Sequence, residues 1–236
     1  MEYIEFEKEF NKLISKYNIK SNNITKQLYT YMGCILESNN NINLTSITNP
    51  NEFIVKHFID SLVISEYIEG SKILDIGTGA GFPGIPLAIN NPDKNFVLLD
   101  SVNKKLNVIR GTLPKININN VDVIHSRAED LAHDNEYREQ FDCVVSRAVA
   151  NLTTLVEYML PFVKVGGMII CLKGPNYEQE LMDASKAIDI LGGKVEKTLS
   201  FNIEDNERNI IFIRKYKTTP EKFPRGQGKP LKEPIK

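Results

Sequence analysis

The chain has little of what covalent or metal-clamped frameworks are built from. Of its 236 residues three are cysteine, three are histidine and none is tryptophan. Cys34, Cys143 and Cys171 are too scattered for a disulfide framework or a zinc site. Cys143 and Cys171 lie inside apolar runs and Cys34 in a helical pattern, so all three read as small buried hydrophobes. Metal and thiol mechanisms are disfavoured. No apolar run approaches the roughly 20 residues needed to span a bilayer. The opening stretch Met1–Phe10 is acidic and periodic, unlike a signal peptide, and the expected compartment is the cytosol. No internal repeat appears, and the one biased segment is an asparagine-rich stretch.

Charge of one sign is also lacking overall, since the formal net charge is −1. The distribution is uneven, because Arg214–Lys236 holds eight basic residues against two acidic ones. Such a tail reads either as a polyanion contact or as a solvated terminal run. With 42% hydrophobic and 25% charged residues, the remainder has the composition of a globular chain able to bury a substantial core.

What is present begins with helices. Phe6, Phe10, Leu13, Ile14 and Tyr17 recur at helical spacing, as do Ile24, Leu28, Tyr31, Met32 and Ile35. The asparagine-rich stretch from Glu37 to Ile47 reads as a loop, and Pro50 and Asn51 open a third helix over about 51–68. These segments predict an N-terminal helical cap (1–68), a cofactor-binding region (69–216) and a basic tail (217–236).

From Ser71 strands and helices alternate. Strands are expected at 72–76, 95–100, 121–125, 141–146 and 167–173, and helices at about 84–91, 102–113, 152–159 and 181–191. Segments 194–201 and 208–216 have no helix between them and should pair as a hairpin. The expected fold is α/β, a mostly parallel seven-stranded sheet ending in an antiparallel hairpin. A dinucleotide fold would instead keep alternating.

The stretch Lys72–Pro86, Lys-Ile-Leu-Asp-Ile-Gly-Thr-Gly-Ala-Gly-Phe-Pro-Gly-Ile-Pro, is a strand running through a glycine-rich turn into a helix. Gly79, Gly81 and Gly84 match GxGxxG, the dinucleotide fingerprint; Asp75, Gly77, Gly79 and Gly81 match DxGxGxG, the form that takes S-adenosylmethionine (SAM). Pro83 has no N–H to offer a diphosphate, which favours SAM. Asp75 is then placed to hold the ligand's ammonium group.

Further candidates sit at strand ends. Asp100 can accept from both ribose hydroxyls or cap the next helix. Ala128 and Glu129 follow the third strand, where an acid and a small residue suit an adenine ring. Phe82 reads equally as a ligand contact or a core residue. Arg147 is suited to a carboxylate or a phosphate, and Lys173 lies on the same rim. Lys104, Lys105, Arg147, Lys173, Arg208 and the tail are candidate phosphate contacts. His57 and Asp60, one helical turn apart, form either an acid–base pair or a structural one. No Asn/Asp-Pro-Pro-aromatic motif follows the fourth strand and no Pro-Cys nucleophile is present, which disfavours amino-group and pyrimidine carbon-5 methylation. A nucleophile with its own lone pair, such as guanine N7, remains open.

With these residues in view, the chain resembles the bacterial small-subunit rRNA guanine-N7 methyltransferases (the RsmG or GidB family). The resemblance runs through Asn43–Thr48, Lys56–Leu62, Asp75–Pro86, Leu99–Ser101 with Lys104, Ser126–Glu129, Ser146–Ala150, Leu172–Gly174, Phe223–Arg225 and Pro234–Ile235. It departs just before Asn43, where the family often has Trp-Asn and this chain reads Glu37-Ser-Asn. The resemblance implies a Rossmann-like SAM-dependent methyltransferase fold and a guanine of 16S rRNA as substrate. It implies SAM contacts at Gly77, Phe82, Ala128, Glu129 and Arg147, which join Gly79 and Asp100 from the loop and strand reading. The expected partner is 16S rRNA, the small ribosomal subunit or an assembly intermediate, with the protein a monomer that uses no metal and no membrane. Competing readings are a NAD-dependent oxidoreductase and a non-catalytic SAM-binding RNA assembly factor.

Overall fold

A computed structural model describes residues 1–147 and 150–235. The sheet has seven strands: β1 (Lys72–Ile76), β2 (Asn95–Asp100), β3 (Val121–His125), β4 (Phe141–Arg147), β5 (Val163–Lys173), β6 (Gly193–Ile203) and β7 (Asn206–Lys215). Their spatial order is β3-β2-β1-β4-β5-β7-β6. The first five are mutually parallel, whereas β7 runs antiparallel to both β5 and β6. The order reverses between β1 and β4, so ligands are expected in the crevice at the carboxyl ends of these strands.

The helices are α1 (Tyr3–Lys16), α2 (Thr25–Asn39), α3 (Pro50–Phe53), α4 (Asp60–Leu62), α5 (Gly84–Asn90), α6 (Asn103–Ile116), α7 (Ala128–Leu131), α8 (Leu152–Met159), α9 (Tyr177–Ile190) and α10 (Lys229–Lys232). The apolar faces of α1 and α2 bury Phe6, Phe10, Leu28, Tyr31 and Ile35 in one cluster with Ile85 of α5 and Ile109 of α6. The N-terminal helices thus share a core with the helices on one face of the sheet. On the other face, α8 and α9 pack Leu152, Leu155, Ala184 and Ile188 against Val144, Ile169 and Ile211.

Two expectations are corrected near the N-terminus. Helix α2 continues to Asn39 into the expected loop, and the Asn39 amide oxygen accepts from the N–H groups of Leu44 and Thr45. The third helix is not one regular α-helix either. Asn49 caps it, accepting from Asn51 and Glu52, and a π-helical turn, Ile54–Ile59, separates α3 from α4. A π turn adds about one residue per turn; His57 within it and Asp60 just after it both reach Arg147 at the end of β4.

The basic tail is docked rather than free. Phe223 is buried in the core beside α8, and the Arg138 guanidinium donates to the carbonyls of Phe223 and Thr219. Lys215 is fully buried, bonded to Glu139 and to the Leu160 carbonyl. Arg225 makes a two-pronged ion pair with Glu157, itself without exposed surface. Folding thus neutralises Lys215 and Arg225, whereas Lys222, Lys229 and Lys232 have no ion pair among the described residues.

Candidate functional site

The glycine turn is held by its own hydrogen bonds. Gly77, Gly79 and Gly81 all have positive φ, at 69°, 58° and 85°, a region that side chains disfavour. The Gly77 and Thr78 N–H groups donate to the Leu99 carbonyl, and those of Gly81 and Phe82 donate to the Thr78 carbonyl. Gly79 N–H donates to Asp100 Oδ2 at 2.8 Å, and Gly84 N–H donates to Asp75 Oδ2 at 2.9 Å. Pro83 has none. Most of the amides that a dinucleotide fold turns toward a pyrophosphate are thus bonded within the protein itself.

Asp75 lies outside the cavity wall described below. It has no exposed surface, and Oδ2 accepts from both Thr78 Oγ1 and Gly84 N–H, tying the strand end to the start of α5. Oδ1 is buried without a partner, and burial pushes the carboxyl up to about 6. The role expected of its charge is taken by its position: it is a brace under the loop. Gly84 belongs to the same brace, because a Cβ there would strike Leu98 and lie 2.7 Å from Asp75 Oδ2. Gly84→Ala is therefore expected to destabilise the protein by about 1–3 kcal/mol, the usual range for overpacking. An unchanged urea midpoint for that variant would contradict the close packing.

Above the brace lies a cavity of about 370 Å³, within the ~300–1,000 Å³ range of small-molecule sites. Gly77, Gly79, Asp100, Ala128, Glu129 and Arg147 all line it. Asp100 closes β2, and its two oxygens accept from Gly79 N–H and Val102 N–H, each at 2.8 Å. Each oxygen keeps a further lone pair, which suits a vicinal diol. Glu129, in the first turn of α7, is 6% exposed; its Oε1 accepts from Gly228 N–H at 3.0 Å. Ile76 and Leu99 add apolar wall, and Lys105 and Arg127 bring positive charge.

Phe82 is placed elsewhere. It is 4% exposed, is not part of the cavity wall, and sits among Tyr31, Phe53 and Phe58. Its ring stacks face to face on His57, with centroids 4.3 Å apart. Phe82 follows Gly81, whose added Cβ would meet the Tyr31 hydroxyl, and its ring lies in the helical cap rather than in the cavity wall.

His57 and Asp60 are not an acid–base pair. Arg147 Nη2 lies 3.0 Å from His57 Nδ1, and a guanidinium can only donate, so Nδ1 accepts. The proton then sits on Nε2, which faces Thr45 Oγ1 at 2.8 Å. Burial first, then the charges of Arg147 and Lys56, push the imidazole down to about 3. Asp60 instead accepts from Arg208 Nε at 2.6 Å and lies 3.4 Å from Arg147 Nη1. Arg147 Nη1 also donates to the Lys56 carbonyl at 2.7 Å. The cluster locks Arg147 at the edge of the cavity with N–H donors to spare. It also has a pH signature. A histidine neutral in the fold but protonated when unfolded costs stability as pH falls below about 6.5. Between pH 7 and 4 the native protein should lose on the order of 3 kcal/mol more than His57→Phe, at ~1.4 kcal/mol per unit. Parallel stability curves from urea titrations would contradict this.

Lys173 is also corrected. It is 9% exposed, donating to the Ala150 carbonyl and pairing with Glu180, so it is not a free rim cation. Ala148 and Val149 of the Ser146–Ala150 motif, and Lys236 of the tail, lie outside the described residues. Two wall residues were not foreseen. Tyr158 on α8, its hydroxyl pushed up to about 12 by burial and by Glu129, remains a protonated donor. Leu231 reaches the cavity from α10.

The profile described as rRNA small subunit methyltransferase G (GidB) matches residues 24–211. The chain belongs to that family. It is 49% identical over 232 residues to the ribosomal RNA small subunit methyltransferase G of Clostridium novyi, covering 96% of this chain and 91% of that one. Against the Lactobacillus acidophilus protein of the same name identity is 41% over 235 residues, covering 96% and 98%. Among solved structures, an O-methyltransferase from Bacillus cereus in complex with SAH aligns with a TM-score of 0.57 at 20% identity, covering 79% of this chain and 91% of that one. A putative O-methyltransferase from Klebsiella pneumoniae aligns at 0.57 and 16% identity, covering 88% and 96%. These two share the fold. For a GidB-family methyltransferase no helix among the described residues is long and apolar enough to cross a membrane.

Proposed function

We propose that this GidB-family chain transfers a methyl group from SAM to N7 of a guanine in small-subunit (16S) rRNA. In this reading residues 1–68 are a cap, 69–216 bind the cofactor and 217–236 complete the site. The protein works as a cytoplasmic monomer on the small subunit or an assembly intermediate. The observation that supports the cofactor assignment is the engaged loop: the N–H groups of Gly77, Thr78, Gly79, Gly81, Phe82 and Gly84 are bonded internally and Pro83 has none, which leaves few donors for a diphosphate. A diol acceptor, an acid and apolar walls remain, and these fit an adenosyl group that carries no phosphate.

Gly77, Gly79, Asp100, Ala128, Glu129 and Tyr158 would hold SAM, which supplies an electrophilic methyl when bound. Asp100 would orient the ribose through its spare lone pairs, and Glu129 Oε2 and Tyr158 would meet the purine. Arg147, fixed by His57 and the Lys56 carbonyl, offers its remaining N–H groups to a carboxylate or a phosphate. No side chain has to take a proton, because guanine N7 attacks with its own lone pair; alignment and electrostatics are the chain's contribution. Lys104 and Lys105, with Arg127 at the cavity mouth, are the proposed phosphate contacts.

Calorimetric titration with SAM and with NAD tests the cofactor reading. SAM should bind and NAD should give no heat up to millimolar concentration. Binding of NAD alone would overturn it.

A further inference from the structure

The last segment of the chain crosses the cofactor side of the fold, a placement its basic composition does not suggest. It is anchored outside the cavity and then turns over it. The anchors are Phe223, 6% exposed in the core, and Arg225, whose N–H, Nε and Nη2 all donate to the buried Glu157 at 2.7–2.9 Å. Pro224 adds a carbonyl 2.8 Å from His133 Nε2.

Beyond the anchors the contacts move to the cavity wall. Gln227 donates to Asp130, and Gly228 N–H donates to Glu129 Oε1 at 3.0 Å. Gly228 has φ 73°, a left-handed turn that glycine adopts readily. The Pro230 carbonyl accepts from Thr154 Oγ1 at 3.0 Å, which leaves the next side chain, Leu231, in the wall with Tyr158 and Ala128. Leu231 is nonetheless 61% exposed. A large apolar side chain that is both in a cavity wall and open to water has area left for a ligand to cover.

From this geometry we infer that residues 227–231 are a strap forming the purine side of the SAM site, an inference that rests on the cofactor reading above. Gly228 N–H holds one Glu129 oxygen, so that Oε2 is left to face the base, and Leu231 covers the ring from the solvent side. Cofactor affinity then depends on a segment that the charge pattern assigns to RNA.

The test uses a chain ending at Gly226, which keeps Phe223 and Arg225, and the single variant Leu231→Ser. Calorimetry with SAM and with S-adenosylhomocysteine is run on both and on the full chain. Loss of a hydrogen bond to a charged group and of apolar cover predicts about 10–50-fold weaker binding for the shortened chain. Leu231→Ser should weaken binding about 3–10-fold. Since the strap acts at the purine, the factor should be the same for both ligands. Melting without ligand should change little for Leu231→Ser, which keeps that variant informative if the shortened chain unfolds. Full-chain affinity in Leu231→Ser, or a loss confined to SAM, would overturn the strap. Failure of the full chain to bind either ligand would instead overturn the cofactor reading itself.

Discussion

Arg147→Ala is expected to lower kcat/KM for methyl transfer by about 10²–10³-fold, the effect of removing one or two charge-assisted hydrogen bonds from a desolvated site. The side chain is 16% exposed and held on three sides, by the Lys56 carbonyl, His57 and Asp60. Lysine should not rescue it. An ammonium keeps the charge but cannot reach Lys56, His57 and a ligand from one rigid plane. The substitution also removes a positive neighbour of His57, so the imidazole should titrate closer to its ordinary range, though burial, the larger cause, persists. Wild-type turnover and SAM affinity in Arg147→Ala would remove the residue from the site.

Asp100→Ala should weaken SAM binding by about 100-fold or more. One carboxylate fastens the glycine loop through Gly79, starts α6 through Val102 and, in this reading, receives the diol. Deleting it loosens the wall and strips the acceptor together, and each charge-assisted bond is worth ~1.5–3 kcal/mol. Asp100→Asn keeps one acceptor oxygen and should fall between alanine and the native chain. Equal SAM affinity in all three, measured by calorimetry, would show that the ribose lies elsewhere.

Much of the fold and the cavity wall was legible in the residues, and the exceptions share a cause. Parallel strands match continuous apolar runs such as Phe96–Leu99 and Met168–Leu172, and the closing hairpin matches the missing helix between β6 and β7. Asp100 and Glu129 were readable because one closes β2 and the other lies in the short turn that follows β3, so local sequence places both at the carboxyl edge of the sheet. What was not legible is where side chains point. Phe82 and Asp75 sit in the motif, but the loop directs one into the cap and buries the other. Lys173, Lys215 and Arg225 were read by charge alone, yet Glu180, Glu139 and Glu157 pair with them. Tyr158 lies on an apolar helix whose periodicity announces a core face, and Leu231 sits in a stretch without periodicity. The π turn at Ile54–Ile59 is invisible to a 3.6-residue pattern, and the His57–Arg147 contact lies beside it.

The central claim is methyl transfer to guanine N7, and one measurement meets it directly. Small subunits from a strain lacking this modification are incubated with the purified protein and SAM labelled in its methyl group, and the digested 16S rRNA is resolved by nucleoside. Label is expected in 7-methylguanosine at a single position, and its rate of incorporation should fall sharply in Arg147→Ala. Label in any other nucleoside, or none despite measurable SAM binding, would contradict the claim.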